Sequence, residues 1–283
     1  MTVDGLPDGA SVRRAVVLAR GAGTRMRAVG SGQADASLSD AQRLAAAAGH
    51  KALMPIGGRP FLDFVLRHLA EAGITDVALV VAPDHAAMRE AYPGDRGPGG
   101  VALSWVVQAE PRGTADAVLA ACAWAGDDPF LVLNGDNVYP VPALRDLVAN
   151  DGPAAAGFDR MDLVATSNIP AERIAAFALF DVDAEGALQR VVEKPDAATV
   201  TRAGAHALVS MNLWRFDHRI FNACRDVPPS PRGELELPAA VMLARSRGVP
   251  CRIVPARGPV LDLSNRADVA EVTRRLTGGS APA

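Results

Sequence analysis

The amino-acid sequence predicts an α/β fold: a mainly parallel, doubly wound sheet with helices on both faces, joined to a smaller β-rich part. Three observations carry that expectation. Short β-branched runs alternate with segments of helical period through the first half of the chain. A glycine-rich turn, Gly21-Ala22-Gly23, follows the first run directly. From about residue 155 the alternation gives way to strand-like pairs.

The elements follow in order. Ala15–Ala19 reads as the first strand. Pro60 to Ala72 reads as a helix, with Phe61, Leu62, Val65, Leu66 and Leu69 on one face and Gly73 near its end. Val77–Val81 and Val101–Val107 are further strands, Thr114 to Trp124 a helix, and Phe130–Leu133 a buried strand. This order implies parallel pairing, and such sheets bind ligands at the carboxyl ends of their strands. The glycine turn and Asn134-Gly135-Asp136 are both expected at that edge. Later, Ile174–Val182 and Ala187–Val192 alternate around Ala184-Glu185-Gly186 as a two-stranded unit. Ala207–Phe216 is another strand, and Glu236–Arg247 and Arg266–Leu276 are closing helices.

One domain is expected over 13–277, with its halves meeting near residue 150 and tails at 1–12 and 278–283. The second half is expected to insert into, or lie on, the first sheet and complete one cleft. Between Arg25 and Lys51 lies a stretch rich in Ala, Ser and Gly. Ser39 and Gln42 form a capping-box pattern, with a short helix through Ala48 and Gly49 as its stop. That stretch is either a surface excursion or a mobile lid.

Composition narrows the function classes. The 283 residues are 49% hydrophobic and 22% charged, ordinary for a globular protein. A net charge of −3 argues against non-specific nucleic-acid binding as the main task. No apolar run approaches the roughly 18 residues of a membrane span, and the N-terminus lacks a signal-peptide pattern. Cys122, Cys224 and Cys251 are far apart without metal spacing, so they read as reduced thiols of a cytoplasmic protein. His50, His68, His85, His206 and His218 share no spacing and are assigned neither catalysis nor metal.

Several segments carry chemistry. In the first, Gly21 and Gly23 have no side chain to block a ligand. Backbone N–H groups there can converge on anionic oxygens, and Arg25 adds a planar charged fork matched to phosphate. Read alone, the segment is equally a tight strand-to-helix turn. Lys51, ahead of Pro55-Ile56-Gly57-Gly58-Arg59-Pro60, is either aimed into the cleft or a surface charge. Gln108 can both donate to and accept from a nucleobase. Gly113 and Thr114 open a helix where an anion or base edge can dock, or where Thr114 simply caps it.

Asp136 at the end of a buried strand suits a hard divalent cation, although Asn-Gly also reads as a plain turn. Pro195 places Glu193 and Lys194 at a strand rim, as cleft residues or as a surface ion pair. Asp262 on an apolar strand needs a partner, either a shared metal or a structural salt bridge. Asn212, within Val209–Leu213, is a hydroxyl-binding amide or a satisfied strand polar group.

Taken in order, these segments resemble the sugar-1-phosphate nucleotidyltransferases, or nucleotide-sugar pyrophosphorylases, from about Arg14 to Leu276. Leu18-Ala19-Arg20-Gly21-Ala22-Gly23-Thr24-Arg25 is similar to that family's Leu-Ala-Ala-Gly-x-Gly-Thr-Arg signature. Lys51 with Pro55, Gly113-Thr114-Ala115, Gly135-Asp136, Glu193-Lys194-Pro195 and Asp262 follow in the family's sequence order. The resemblance implies a Rossmann-like fold of the nucleotide-diphospho-sugar transferase type, with the β-rich part binding sugar. It implies transfer of a nucleotidyl group from an NTP to a sugar-1-phosphate or cyclitol phosphate, releasing pyrophosphate.

By the same resemblance Leu18, Ala19, Gly21, Ala22, Gly23, Thr24, Gln108, Gly113 and Thr114 bind the nucleotide. Gly135, Glu193, Lys194 and Asn212 bind the sugar phosphate. Arg25, Lys51 and Lys194 are the catalytic cations, and Asp136 and Asp262 hold Mg²⁺. Partners are the two substrates, with no nucleic acid and no membrane; homo-oligomers are common among relatives, and no stripe here fixes an interface.

Two features depart from the pattern. Arg20 stands where the family carries a small residue, so it either contacts the nucleotide or folds away. The Arg27–His50 connection is longer than usual. Gln108 leans towards uracil or thymine, while Arg112–Val118 also resembles ADP-glucose pyrophosphorylases; ATP and GTP stay open. The chain lacks the left-handed β-helix that some relatives use for acyl transfer, so that second activity is not expected. Two rival readings remain: a catalytically silent sugar-nucleotide sensor of the same fold, and a dinucleotide-binding oxidoreductase. Met26 weakens the latter, since Gly-x-Gly-x-x-Gly requires glycine there.

Overall fold

The computed structural model describes residues 12–21, 23–28 and 36–278. The expectations for Ala22, for 29–35 of the long connection and for most of both tails lie outside the described residues. Among the described residues a nine-stranded mixed sheet runs through both halves. Its parallel part comprises β1 (Arg14–Leu18), β4 (Asp76–Val81), β5 (Ala102–Val107) and β6 (Phe130–Asn134), in the order β6-β1-β4-β5, while β2 (Pro55–Ile56) and β3 (Arg59–Pro60) pair with each other apart from it.

β1, β4 and β6 read as apolar runs because both of their faces are covered, whereas the edge strand β5 buries only Leu103. Val17, Leu79, Leu131 and Leu133 enter one apolar cluster, with the helix Phe61–Glu71. Val16, Ala78, Val80, Phe130 and Val132 enter the other, with the helices Thr114–Ala120 and Leu237–Ser246. Side chains that alternate along each strand thus feed two cores, each buried aliphatic or aromatic residue contributing about 1.5–3 kcal/mol.

The second half joins the same sheet through β8 (Ala154–Asp159), β9 (Leu179–Val182), β10 (Leu188–Val192), β11 (Leu208–Phe216) and β12 (Arg252–Ala256). β11 is the junction. Trp214–Phe216 pair antiparallel with β6, whereas Leu208 and Val209 pair with β9. Along its other edge β11 pairs with β8, and the register shifts between Ser210 and Trp214.

Some expected elements change. The reading of Ile174–Val182 as strand is corrected: Pro170 opens a helical turn at Ala171–Ala175, and the strand starts only at Leu179. The helix expected from Thr114 to Trp124 breaks at Ala121 into Thr114–Ala120 and Cys122–Ala125. The capping box at Ser39 and Gln42 is present on the helix Asp40–Ala48, and Gly49 ends it with φ 74°. The helix Val141–Ala149, β8 and β12 carried no sequence signal of their own; the Ala-rich start of β8 lacks the branched side chains that mark a strand.

Candidate active site

The carboxyl ends of β1, β4, β5 and β6 meet at one edge, and the sequence-predicted residues of the first half gather there. Ala19 N–H donates to Val80 O (2.9 Å), Gln108 N–H to Val81 O (3.0 Å) and Gly135 N–H to Leu18 O (3.0 Å), tying four chain segments together. Gly21 is exposed, and a Cβ built there meets nothing within 4 Å, so the turn leaves open space on that side. Gly23 has another task. At φ 61° a Cβ would stand 2.3 Å from Gly49 O, so glycine is required for the turn to lie against the end of the Asp40–Ala48 helix. Thr24 and Arg25 begin a short helix and are exposed.

Gln108 is buried at the end of β5. Its Nε2 donates to Gly113 O (3.0 Å) and to Asp116 Oδ2 (2.8 Å). Arg20 folds away onto this segment, donating from Nε to Gln108 O (2.7 Å) and from Nη2 to Ala109 O (3.1 Å). Thr114 does not cap its helix. Gly113 is the N-cap, and Thr114 Oγ1 accepts from Leu237 N–H (2.9 Å). The segment 234–237 runs so close to Gly113 that a Cβ there would stand 2.4 Å from Leu235 O.

Asp136 lies in the turn between β6 and β7 (Asn137–Val138). β7 pairs antiparallel with β13 (Leu261–Asp262), Asp262 opposite Asn137, and Leu263 N–H donates to Asp136 O (2.9 Å). The two acids therefore stand on one small ladder. Each meets a cation: Lys51 Nζ lies 2.8 Å from Asp136 Oδ2, and Arg173 Nη2 lies 2.7 Å from Asp262 Oδ1. Asn137 Nδ2 also donates to Asp262 Oδ2 (3.2 Å). Burial raises the pKa of Asp262, the nearby Asp136 charge raises it further, and Arg173 opposes both. Among the described residues no three His, Cys, Asp or Glu side chains form a metal cluster; the candidate donors are these two carboxylates.

Two of the four sugar-phosphate candidates sit on unusual backbone. Lys194 has φ 44° and Asn212 has φ 55°, uncommon for residues with a Cβ. Asn212 is not a regular strand polar group: it lies in the bulge of β11. Glu193 follows β10, and burial together with the Glu236 charge raises its pKa against the pull of Arg232 and Lys194. Arg232 Nη2 is 2.7 Å from Glu236 Oε1 and 3.3 Å from Glu234 Oε2. The sequence reading missed Arg232 and Arg173, because neither lies beside a recognised motif.

Residues 14–251 match the family model described as Nucleotidyl transferase. The chain belongs to this family. It is 31% identical over 265 residues to a glucose-1-phosphate thymidylyltransferase of Streptomyces antibioticus, covering 93% of this chain and 66% of that protein. It is 30% identical over 195 residues to a low-salt glycan biosynthesis nucleotidyltransferase of Haloferax volcanii, covering 68% of this chain and 50% of that protein. The chain thus spans about half to two thirds of these relatives' lengths. A UTP-bound UGPase from Acinetobacter baumannii has a similar fold, with TM-score 0.70, 19% identity and coverage of 94% and 93% of the two chains. A UDP-glucose pyrophosphorylase complexed with UDP-glucose superposes with TM-score 0.69 at 16% identity, covering 94% of this chain and 99% of that one. Family and fold thus agree with the resemblance read from the motifs. Among the described residues no helix is long and apolar enough to cross a membrane.

Proposed function

We propose that the protein is a sugar-1-phosphate nucleotidyltransferase: it joins a sugar-1-phosphate to the α-phosphorus of an NTP and releases pyrophosphate. The observation that carries this reading is the convergence, at one sheet edge, of an open glycine turn with a pair of mutually repelling carboxylates. Two oxygen donors fit Mg²⁺, which takes one or two carboxylates and completes its shell with phosphates and water. Asp136 and Asp262 would hold it, and when bound it would neutralise phosphate charge at the reacting phosphorus.

The remaining work falls to the protein's own groups. The Leu18–Thr24 turn and Gly113 bind the triphosphate and nucleoside. Arg25, exposed beside that turn, steadies the departing pyrophosphate. Lys51 offsets the charge around Asp136. Glu193, Lys194, Gly135 and Asn212 hold the sugar phosphate, with Lys194 cancelling the repulsion between two anions that must meet in line. A phosphate monoester is already largely ionised at neutral pH, so the attack needs no general base. Reduced, unpaired cysteines and nucleotide substrates suit a cytoplasmic enzyme.

The test is pyrophosphate release from the purified protein, with each NTP paired with a set of hexose-1-phosphates and Mg²⁺. Turnover that depends on both substrates supports the assignment. Nucleotide binding without turnover on any pair removes it.

A further inference from the structure

We propose that Tyr139 is a positioning residue for the sugar-phosphate side: its buried hydroxyl fixes the Met211–Asn212 peptide and so holds Asn212 in register with the Asp136 turn. The inference rests on the sugar-1-phosphate reading above. It goes beyond that reading by naming a residue, itself shut off from solvent, that acts through another.

Part of β11 stands outside its ladders. The pairs with β9 end at Val209, those with β6 begin at Trp214, and those with β8 skip from Ser210 to Trp214. Met211, Asn212 and Leu213 therefore have no strand partner to set their backbone. Met211 is buried, so its carbonyl needs a donor from elsewhere. Tyr139 supplies it: the hydroxyl donates to Met211 O at 2.6 Å, across 72 positions of sequence.

That bond acts on Asn212 through the peptide plane. Met211 O and Asn212 N belong to one planar unit, so the direction of the carbonyl helps to set the φ of Asn212. Asn212 has φ 55°, which a residue with a Cβ keeps only where its surroundings impose it. The local support is weak, since Asn212 N–H reaches Ser210 Oγ only at 3.5 Å.

Tyr139 is in turn anchored on the acid side. It follows β7 directly, three residues after Asp136. His68, on the helix Phe61–Glu71, donates from Nδ1 to Tyr139 O at 2.7 Å. The ring packs at a tilt on Phe158 of β8, with centroids 6.4 Å apart. Burial raises the pKa of the hydroxyl, and the Asp136 and Asp262 charges raise it further, as befits a ring lying near both acids. A strut thus runs from the acid pair to the bulge of β11.

The experiment removes one oxygen, because Tyr139→Phe keeps the ring. With the hexose-1-phosphate identified by pyrophosphate release, Tyr139→Phe is expected to raise KM for that sugar phosphate about 5- to 10-fold. KM for the NTP and kcat are expected to change by less than about 2-fold. In an Asn212→Ala background the same substitution is expected to cost less than about 2-fold, because a residue that acts through Asn212 has nothing left to hold. Without any substrate, the Asn212 and Leu213 amides are expected to exchange hydrogen ~10-fold faster or more, while those of β6 keep their rates. Should Tyr139→Phe not fold, it is expected to fold together with Asn212→Gly, since glycine accepts φ 55° untied.

An equal rise in both KM values, a full-sized effect in the Asn212→Ala background, or unchanged exchange at Asn212 and Leu213 overturns the inference. So does a Tyr139→Phe/Asn212→Gly protein that still does not fold. Faster exchange confined to the bulge, in a protein that releases pyrophosphate from no pair, would instead sink the enzymatic assignment and leave the strut standing.

Discussion

The two substrate sides of the proposed site handle unusual backbone differently. On the proposed nucleotide side, positive φ falls on glycines: Gly23 at 61° and Gly113 at 121°, each pressed against a neighbouring main chain. On the proposed sugar side it falls on Lys194 at 44° and Asn212 at 55°. Glycine takes such angles without steric cost, whereas a side-chain-bearing residue there stores about 1–3 kcal/mol. One wall is therefore built by close, unstrained chain contacts. The other holds its polar side chains at stations the backbone does not favour, an arrangement associated with sites where position matters more than stability.

The largest effect is expected at the proposed acid pair. Asp136→Ala should lower pyrophosphate release by ~10³-fold or more while the melting curve stays near wild type; near-normal turnover would remove Asp136 from the chemistry. Lys194→Ala should cost roughly 10²-fold in kcat/KM. Most of that loss is expected in KM for the sugar-1-phosphate, with NTP affinity unchanged when the two are titrated separately. Gly113→Ala tests the opposite wall. A Cβ 2.4 Å from Leu235 O at φ 121° should destabilise by about 3 kcal/mol and drop Tm by roughly 5–10 °C, seen by calorimetry.

The smallest effect serves as a control outside the cleft. Hydrogen bonds from Arg274 and Arg275 lower the Glu271 pKa from 4.5 to about 2. A depressed carboxylate pKa stabilises the fold above its unfolded value and loses that contribution as pH falls through the folded one. Glu271→Gln should therefore lower Tm by about 1–2 °C at neutral pH, and the gap from wild type should narrow below about pH 4.5.

The same contrast explains what could be read from the sequence. The parallel half was legible because its strands are continuous apolar runs and its turn residues are glycines, both local signals. The capping box at Ser39 and Gln42 was legible for the same reason: both partners lie within one helical turn. The sugar side was not. The bulge at Asn212 arises because β11 serves β6 at one end and β9 at the other, which no local pattern records. Ile174-Ala175-Ala176-Phe177-Ala178 has neither helical nor strand period, so the turn opened by Pro170 passed as strand. The pairing of Asp262 with Arg173 joins residues 89 positions apart, and only folding brings that cation to the acid.

The junction strand has a mechanical consequence. Leu208–Phe216 is hydrogen-bonded to the first half of the chain through β6 and to the other strands of the second half through β9 and β8. Swinging one half against the other as a rigid body would rupture those ladders, so the fold offers no hinge through the middle of the sheet. Any adjustment to an incoming ligand has to be made by the rim segments that overhang the strand ends.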